Sequence, residues 1–291
     1  MDRRVRSLIA WLEQNEPITA LVGHIPGSAE DTSAQKQVWE AARQVLEGRA
    51  AFRLPTPALM ELPPELLERG NAFRQRPDVI ATFPGLDWTV GIVDLNDVLS
   101  FQKIVVEEEV TQRAGAVIVG DLQSLFSFCL PDPAEAVNLS GTMDPDQKGV
   151  TFSSLNPNLR VGGQMIADVD VAMAPGGPAR KQKFVGYSIN FGARFVQVAE
   201  YNGRWFVRDG YHRTFGLMRR DMHRIPCIFI KARSFEELGA AAPGFFSYEV
   251  LFGDRPPFLR DFLDDSLAIS TNQKAHRKVV RISAEEFLVE V

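Results

Sequence analysis

Residues 201–220 read YNGRWFVRDGYHRTFGLMRR and contain several strong local structure signals in a short span. Asn202-Gly203 is the strongest short hairpin signal, because both residues tolerate the positive φ angles of a type I′ turn. The β-rich residues on either side, 194–199 and 205–207, therefore predict two antiparallel strands joined by this turn.

A helix and a further strand follow the hairpin. The helix covers residues 214–220 and is expected to begin between Gly210 and Thr214, and the strand covers residues 225–230. The predicted order is therefore strand, turn, strand, polar loop, helix, strand. Such a mixture of alternating elements is typical of an α+β or α/β fold with a mixed sheet.

The polar loop, which begins at Arg208, lies at the junction of strand and helix. A helix N-terminus offers unpaired backbone N–H groups and the positive end of the helix dipole, which favours an anion. A glycine lets the backbone approach a ligand closely, and an arginine can give phosphate two parallel hydrogen bonds. The predicted ligand-binding residues are Asp209, Gly210, Tyr211, His212, Arg213 and Thr214.

An ordinary strand-to-helix turn is the alternative interpretation of this loop. In that case Asp209 caps the helix, Gly210 makes the turn, and the side chains of His212 and Arg213 are solvated. A histidine titrates near neutrality, which makes His212 a candidate catalytic residue in the first interpretation.

Residues 205–230, WFVRDGYHRTFGLMRRDMHRIPCIFI, resemble the signature of the ParB/sulfiredoxin superfamily. That signature is a strand, an Asp-Gly-His-His-Arg type box, a helix and a final Ile-Pro-Val-like strand. The resemblance covers residues 189–231 well, and a weaker similarity extends over 88–103. It implies that the box binds the phosphates of a nucleotide, ATP or CTP with Mg²⁺, and that the protein is a nucleotide hydrolase or phosphotransferase.

Two departures from the superfamily narrow the function. Sulfiredoxins carry a catalytic cysteine where this chain has Tyr211, which excludes the reduction of sulfinic acids. The residues after Lys231 contain no clear helix-turn-helix pattern, which argues against the DNA binding of partition proteins. A non-catalytic interaction module that keeps the fold is the alternative function, and a ParB-like nuclease is the second alternative.

Three consecutive carboxylates, Glu107 to Glu109, follow apolar residues in a strand predicted over 104–110. One of them could hold Mg²⁺ beside a nucleotide or act as a general base, and Glu107 is the second candidate catalytic residue. A solvated strand edge is the alternative. No Cys or His residues have the spacing of a zinc site, so we predict no metal site built by the protein alone.

The chain divides into three parts by its sequence pattern. Residues 1–80 are predicted to be a helical N-terminal region, in which Val5, Leu8, Ile9 and Leu12 recur at helical spacing. Residues 87–233 are the predicted core, with a Pro/Gly-rich insertion of loops and short strands at 131–183, and 234–291 are a C-terminal extension packing on it. The other predicted elements are helices over 34–47 and 63–73 and strands over 88–93 and 116–119, while 122–130 is ambiguous. Within the insertion, short strands are predicted at Phe152 and over residues 164–172.

Composition restricts the class of protein further. The 291 residues are 45% hydrophobic and 24% charged, which excludes a collagen, a disordered chain and a disulfide scaffold. A net charge of −5 does not favour nucleic acid as a partner. The two cysteines lie in apolar runs, and we find neither a secretion signal nor a membrane span, so we expect a cytoplasmic protein that does not bind membranes. A homodimer is left open.

Overall fold

The computed structural model describes residues 2–13, 33–53, 58–115, 117–132, 139–154, 159–172, 179–191, 195–240, 244–274 and 277–290. They form an α+β fold, as the sequence predicts. The chain divides into two compact units: unit 1 contains residues 1–133 and 194–274, and unit 2 contains residues 134–193 and 275–291. The three-part division made from the sequence stays a prediction.

The strands are numbered in chain order. They are β1 (Asp2–Ser7), β2 (Asp87–Asp94), β3 (Leu99–Ser100), β4 (Ile104–Val106), β5 (Gly141–Met143), β6 (Gly149–Ser154), β7 (Leu159–Ala172), β8 (Ala179–Phe191), β9 (Gln197–Tyr201), β10 (Arg204–Asp209), β11 (Arg224–Lys231), β12 (Ile269–Lys274) and β13 (Lys278–Ser283).

The helices are numbered in the same way. They are α1 (Ser33–Gly48), α2 (Pro64–Arg74), α3 (Pro77–Thr82), α4 (Glu107–Ala114), α5 (Leu122–Cys129), α6 (Tyr211–Met218), α7 (Phe235–Leu238) and α8 (Tyr248–Phe252). Short 3-10 helices cover Ile9–Trp11, Leu95–Asp97 and Leu259–Leu263. No helix in the described part of the chain is long and apolar enough to cross a lipid bilayer.

A five-stranded mixed sheet in the order β2-β11-β9-β10-β3 is the centre of unit 1. Strand β11 runs antiparallel to β2 and parallel to β9, and β10 runs parallel to β3. Strands β9 and β10 form the predicted hairpin, in which Asn202 and Gly203 have φ angles of 52° and 73°. The predicted order of strand, turn, strand, helix and strand is confirmed for the described residues from 195 onward.

A second sheet of unit 1, in the order β12-β1-β4, shows that the helical prediction for residues 5–12 is wrong. Strand β1 pairs antiparallel with both β12 and β4, and only a 3-10 helix follows it. The apolar spacing of so short a run fits a helix and a buried strand equally well. The pairing with distant strands makes this segment a strand. Buried Arg6 supports it by donating hydrogen bonds to the Phe262 carbonyl and the Asp265 carboxylate.

Two further strand predictions are wrong in unit 1. Strand β4 ends at Val106, and helix α4 begins at Glu107, so residues 107–109 lie in the first turn of a helix rather than on a strand edge. Acidic side chains there complement the helix dipole. Residues 117–119 form no strand, and residue 116 lies outside the described residues.

The remaining elements of unit 1 agree with the sequence where it made a prediction. The helices predicted over 34–47 and 63–73 are α1 and α2, and the strand predicted over 88–93 is β2. The ambiguous residues 122–130 are helix α5. This helix begins there because the Asp121 carboxylate accepts hydrogen bonds from the backbone N–H groups of Gln123 (2.8 Å) and Ser124 (3.1 Å).

The described part of unit 2 contains five strands, where the sequence predicted mostly loops and short strands. Strands β13, β6 and β5 form one sheet, and β7 and β8 form a long two-stranded ribbon. Strands β5 and β6 are short, and β6 contains Phe152 as predicted, but the two ribbon strands have 14 and 13 residues. The strand predicted over 164–172 is therefore part of the longer β7, and the density of Pro and Gly around it obscured how far the ribbon extends.

Candidate functional site

The end of strand β10 carries a β-bulge at Arg208. Val207 pairs with Val198 and Asp209 pairs with Gln197, so two residues of β10 span what one residue spans on β9. The extra residue is Arg208. A bulge of this kind redirects a side chain and interrupts the strand pairing, and bulges are frequent beside binding sites.

Gly210 connects this bulge to helix α6. It is the N-cap residue of the helix, with a φ angle of 93° and a ψ angle of 20°, a left-handed conformation that glycine adopts without strain. A Cβ atom at this position would lie 3.0 Å from Cγ2 of Val196. The backbone N–H of Gly210 donates a 2.6 Å hydrogen bond to Oδ1 of Asp209. The turn therefore requires glycine, and Asp209 supports the turn.

Arg208 is half-buried and has a neutral hydrogen-bond partner. Its Nη1 donates to Oε1 of Gln197 at 2.6 Å, and Gln197 is itself only 3% exposed. The Nε atom of Arg208 is buried and has no hydrogen-bond partner among the described residues. Burial lowers the pKa of this guanidinium, against the opposing effect of the Asp209 carboxylate.

Two residues of the predicted site, Tyr211 and Thr214, face the protein interior. The Tyr211 hydroxyl donates to the carbonyl of Val207 and accepts a 3.3 Å hydrogen bond from the backbone N–H of Phe101, and burial raises the pKa of this phenol well above its usual value. The Thr214 hydroxyl donates to the carbonyls of Gly210 and Tyr211. These side chains fix the first turn of α6 against the sheet.

Arg213 is also buried, at 9% exposure, so the alternative in which it is solvated is wrong. Its Nη1 donates to the carbonyl oxygens of Phe128 (3.1 Å) and Cys129 (3.5 Å), the last two residues of helix α5. The guanidinium therefore caps the C-terminus of that helix, where a cation is favoured by the helix dipole. Phosphate binding by Arg213 and catalysis by the half-buried His212 stay predictions.

Glu107, the second candidate catalytic residue, is engaged in ion pairs. Its carboxylate lies 2.7 Å from Nε of Arg4 and 4.0 Å from Nη1 of Arg219. Its helix α4 packs closely against α6, where a Cβ atom on Gly216 would lie 2.7 Å from Cβ of Ala114. Binding of Mg²⁺ or base catalysis by Glu107 stays a prediction. Among the described residues, no three His, Cys, Asp or Glu side chains form a group that could hold a metal ion.

The predicted ligand residues thus fall into two groups, those whose backbone forms the start of α6 and those whose side chains point into the protein. The backbone of Gly210 and the first turn of α6 are arranged as the sequence suggests, whereas three of the predicted side chains are used within the fold. Arg208 was not among the predicted ligand residues. Its only sequence signal is its position directly before Asp209-Gly210, because the bulge depends on how β10 pairs with β9.

Comparisons of the chain with protein-family models, with curated proteins and with solved structures find no match. The resemblance of residues 205–230 to the ParB/sulfiredoxin superfamily therefore stays a prediction.

Proposed function

We propose that this protein is a phosphate-binding module that takes a nucleotide at the N-terminus of helix α6. The observation that supports this most is the half-buried guanidinium in the bulge at Arg208, whose Nε lacks a hydrogen-bond acceptor in the described part of the chain. Burial makes the charge of this guanidinium costly, which is why its pKa is lowered. An anion bound beside the half-buried guanidinium would offset that cost.

The start of helix α6 supports the same site. Its N-cap residue is Gly210, which has no side chain to occupy the N–H groups of the first turn. The positive end of the helix dipole therefore lies two residues from the Arg208 bulge. The resemblance to the ParB/sulfiredoxin superfamily adds that the ligand is ATP or CTP.

Binding is better supported than hydrolysis or phosphoryl transfer. Arg213, a predicted phosphate ligand, donates hydrogen bonds from Nη1 to the C-terminus of α5. Glu107, the expected Mg²⁺ ligand or general base, pairs with Arg4 and Arg219. The proposed function is therefore to bind a nucleotide without catalysing a reaction on it.

Calorimetric titration of the full chain with ATP, CTP and inorganic phosphate, each with and without Mg²⁺, tests this function. We expect saturable binding, and Arg208→Gln should weaken it by about tenfold or more, since a hydrogen bond to a charged group contributes about 1.5–3 kcal/mol. Arg224→Gln is the matched control, because Arg224 belongs to the same sheet but its side chain is 73% exposed. It should bind as the unchanged protein does.

Three results would count against this function. An absence of saturable binding with all three ligands would exclude the site. Equal weakening by Arg208→Gln and Arg224→Gln would show that the bulge has no special part in binding. Release of inorganic phosphate from ATP or CTP would show that the protein is a hydrolase rather than a binding module.

A further inference from the structure

A cleft of about 440 Å³ lies in unit 1 at the turn between helix α6 and strand β11. Its other walls are the end of strand β2 and the loop that leads into helix α5. Clefts of this size are suited to small molecules. None of the residues 208–214 lines it, so it is separate from the proposed phosphate site.

The walls of this cleft are held by hydrogen bonds between different elements. The backbone N–H of Leu95 donates to the carbonyl of His223 at 2.9 Å, which joins the end of β2 to the turn before β11. The backbone N–H of Ile118 donates to the Ser124 hydroxyl at 3.0 Å, and Asp121 caps helix α5. The cleft is therefore formed before any ligand binds.

Apolar side chains on one wall are exposed to solvent. Ile118 is 64% exposed and Leu122 is 39% exposed, and both line the cleft together with Leu125 and Met222. Covering such surface with an apolar group is favourable in proportion to the area that is removed from water. A ligand with an apolar body would therefore gain affinity here.

Negative charge dominates the polar part of the lining. Among the described lining residues, Asp94, Asp121 and Asp221 contribute three carboxylates, and Arg224 contributes one guanidinium. The Asp94 carboxylate lies 3.7 Å from Nε of Arg224, whereas the side chain of Asp221 is 97% exposed at the turn. The field of these charges favours a cation.

His223 also lines the cleft, and its ring lies next to Asp221. The Nε2 atom of His223 is 2.9 Å from Oδ1 of Asp221. This contact links the Asp221 carboxylate to the wall of the cleft, beside the place that a bound cation would take.

We propose that this cleft binds a small organic cation, a primary amine on a compact apolar body. The apolar body contacts Ile118 and Leu122, and the ammonium group lies among the carboxylates, next to Asp221. The proposal is independent of the phosphate site, because it uses other residues.

NMR titration of the ¹⁵N-labelled full chain with 2-phenylethylamine tests this proposal, with neutral 2-phenylethanol and anionic 3-phenylpropionate as comparison ligands. The amine should shift the signals of residues 118–125 and 221–224 saturably, with a Kd of about 1–10 mM, the range expected for so small a ligand. The alcohol should bind more weakly, and the carboxylate should bind most weakly of the three.

One variant and a matched control locate the binding. Asp221→Asn should weaken amine binding about two- to fivefold, the range of an exposed ion pair, and asparagine tolerates the φ angle of 60° found there. Asp170→Asn in the ribbon of unit 2 is the control and should have no effect.

The thermal unfolding midpoint of each variant shows whether it is folded. Amine binding that Asp221→Asn and Asp170→Asn leave equally strong would overturn the proposal. So would an alcohol that binds as tightly as the amine, or an absence of saturable shifts in the named residues.

Discussion

Arg213→Met should destabilise the fold and leave phosphate binding by the folded protein unchanged. The substitution removes the hydrogen bond from Nη1 to the carbonyl of Phe128 at 3.1 Å and the longer contact with Cys129 at 3.5 Å, while methionine keeps the apolar stem. One hydrogen bond to a charged group contributes about 1.5–3 kcal/mol, and a cation at a helix C-terminus about 0.3–1 kcal/mol. We therefore expect a loss of about 2–4 kcal/mol in the free energy of unfolding.

Urea unfolding followed by tryptophan fluorescence measures this loss for unit 1, because all four tryptophans lie in that unit. Arg213→Lys should recover only part of the loss, since an ammonium group cannot reproduce the planar fork of donors. Arg224→Met is the control. Its side chain is 73% exposed and its ion pair with Asp94 is long, so its effect should stay below about 1 kcal/mol.

The opposite result would restore the interpretation made from the sequence alone. If Arg213→Met unfolds at the same urea concentration as the unchanged protein but binds ATP or phosphate about tenfold more weakly, its guanidinium is a ligand and not a helix cap.

Two other predictions concern the packing of the core. Gly216→Ala should destabilise the protein by about 1–3 kcal/mol in urea unfolding, because its Cβ would lie 2.7 Å from Cβ of Ala114 and 3.0 Å from the carbonyl oxygen of Val110. Gly48→Ala is the control and should not destabilise the protein, since nothing lies within 4 Å of a Cβ at that position. Equal effects of the two substitutions would contradict the close packing of α4 on α6. Burial raises the pKa of Cys129 from 9.0 to about 12, so its thiol should resist Ellman's reagent in the folded protein. The free energy of unfolding should also fall as the pH rises above 9.0, because the thiol ionises in the unfolded protein before it ionises in the folded one. Cys129→Ala should reduce that slope, and an unfolding free energy that stays flat above pH 9.0 would show that the thiol is not buried as described.

The segment from β9 to β11 could be predicted because its signals are local. Asn202-Gly203 tolerates the positive φ angles of the turn, and Gly210 supplies the left-handed residue that starts helix α6. Each of these signals acts within a few residues of its own position. The boundaries predicted for the hairpin, the helix and the last strand therefore agree with the structure within a few residues.

The N-terminal strand could not be predicted because its partners are distant in sequence. Residues 2–7 pair with residues 269–274 and with residues 104–106. The same pairing explains why the strand predicted over 104–110 ends early. Only residues 104–106 pair with β1, and the chain continues as helix α4 from Glu107. No local pattern contains that information.

The arginines of the site show why its ligand residues were difficult to predict. A guanidinium has five hydrogen-bond donors and no acceptor, so a buried guanidinium needs acceptors nearby. The C-terminus of a helix provides them, because its last carbonyl oxygens have no partner within the helix. Arg213 donates to the end of α5, and Arg204 donates to three carbonyls at the end of α8. Arg220 donates to the carbonyl of Ala114, the last residue of α4, and to that of Val117 just beyond it.

A basic motif beside a glycine therefore has two uses that the sequence does not distinguish: binding an anion from outside, and holding neighbouring helices to the sheet. Which of the two uses applies depends on whether the end of a helix lies next to the arginine. That depends on contacts between residues far apart in the sequence. Arg208 differs from the other three because its partner is a side-chain amide, not the end of a helix. That difference is the reason to look for an external anion at Arg208 first.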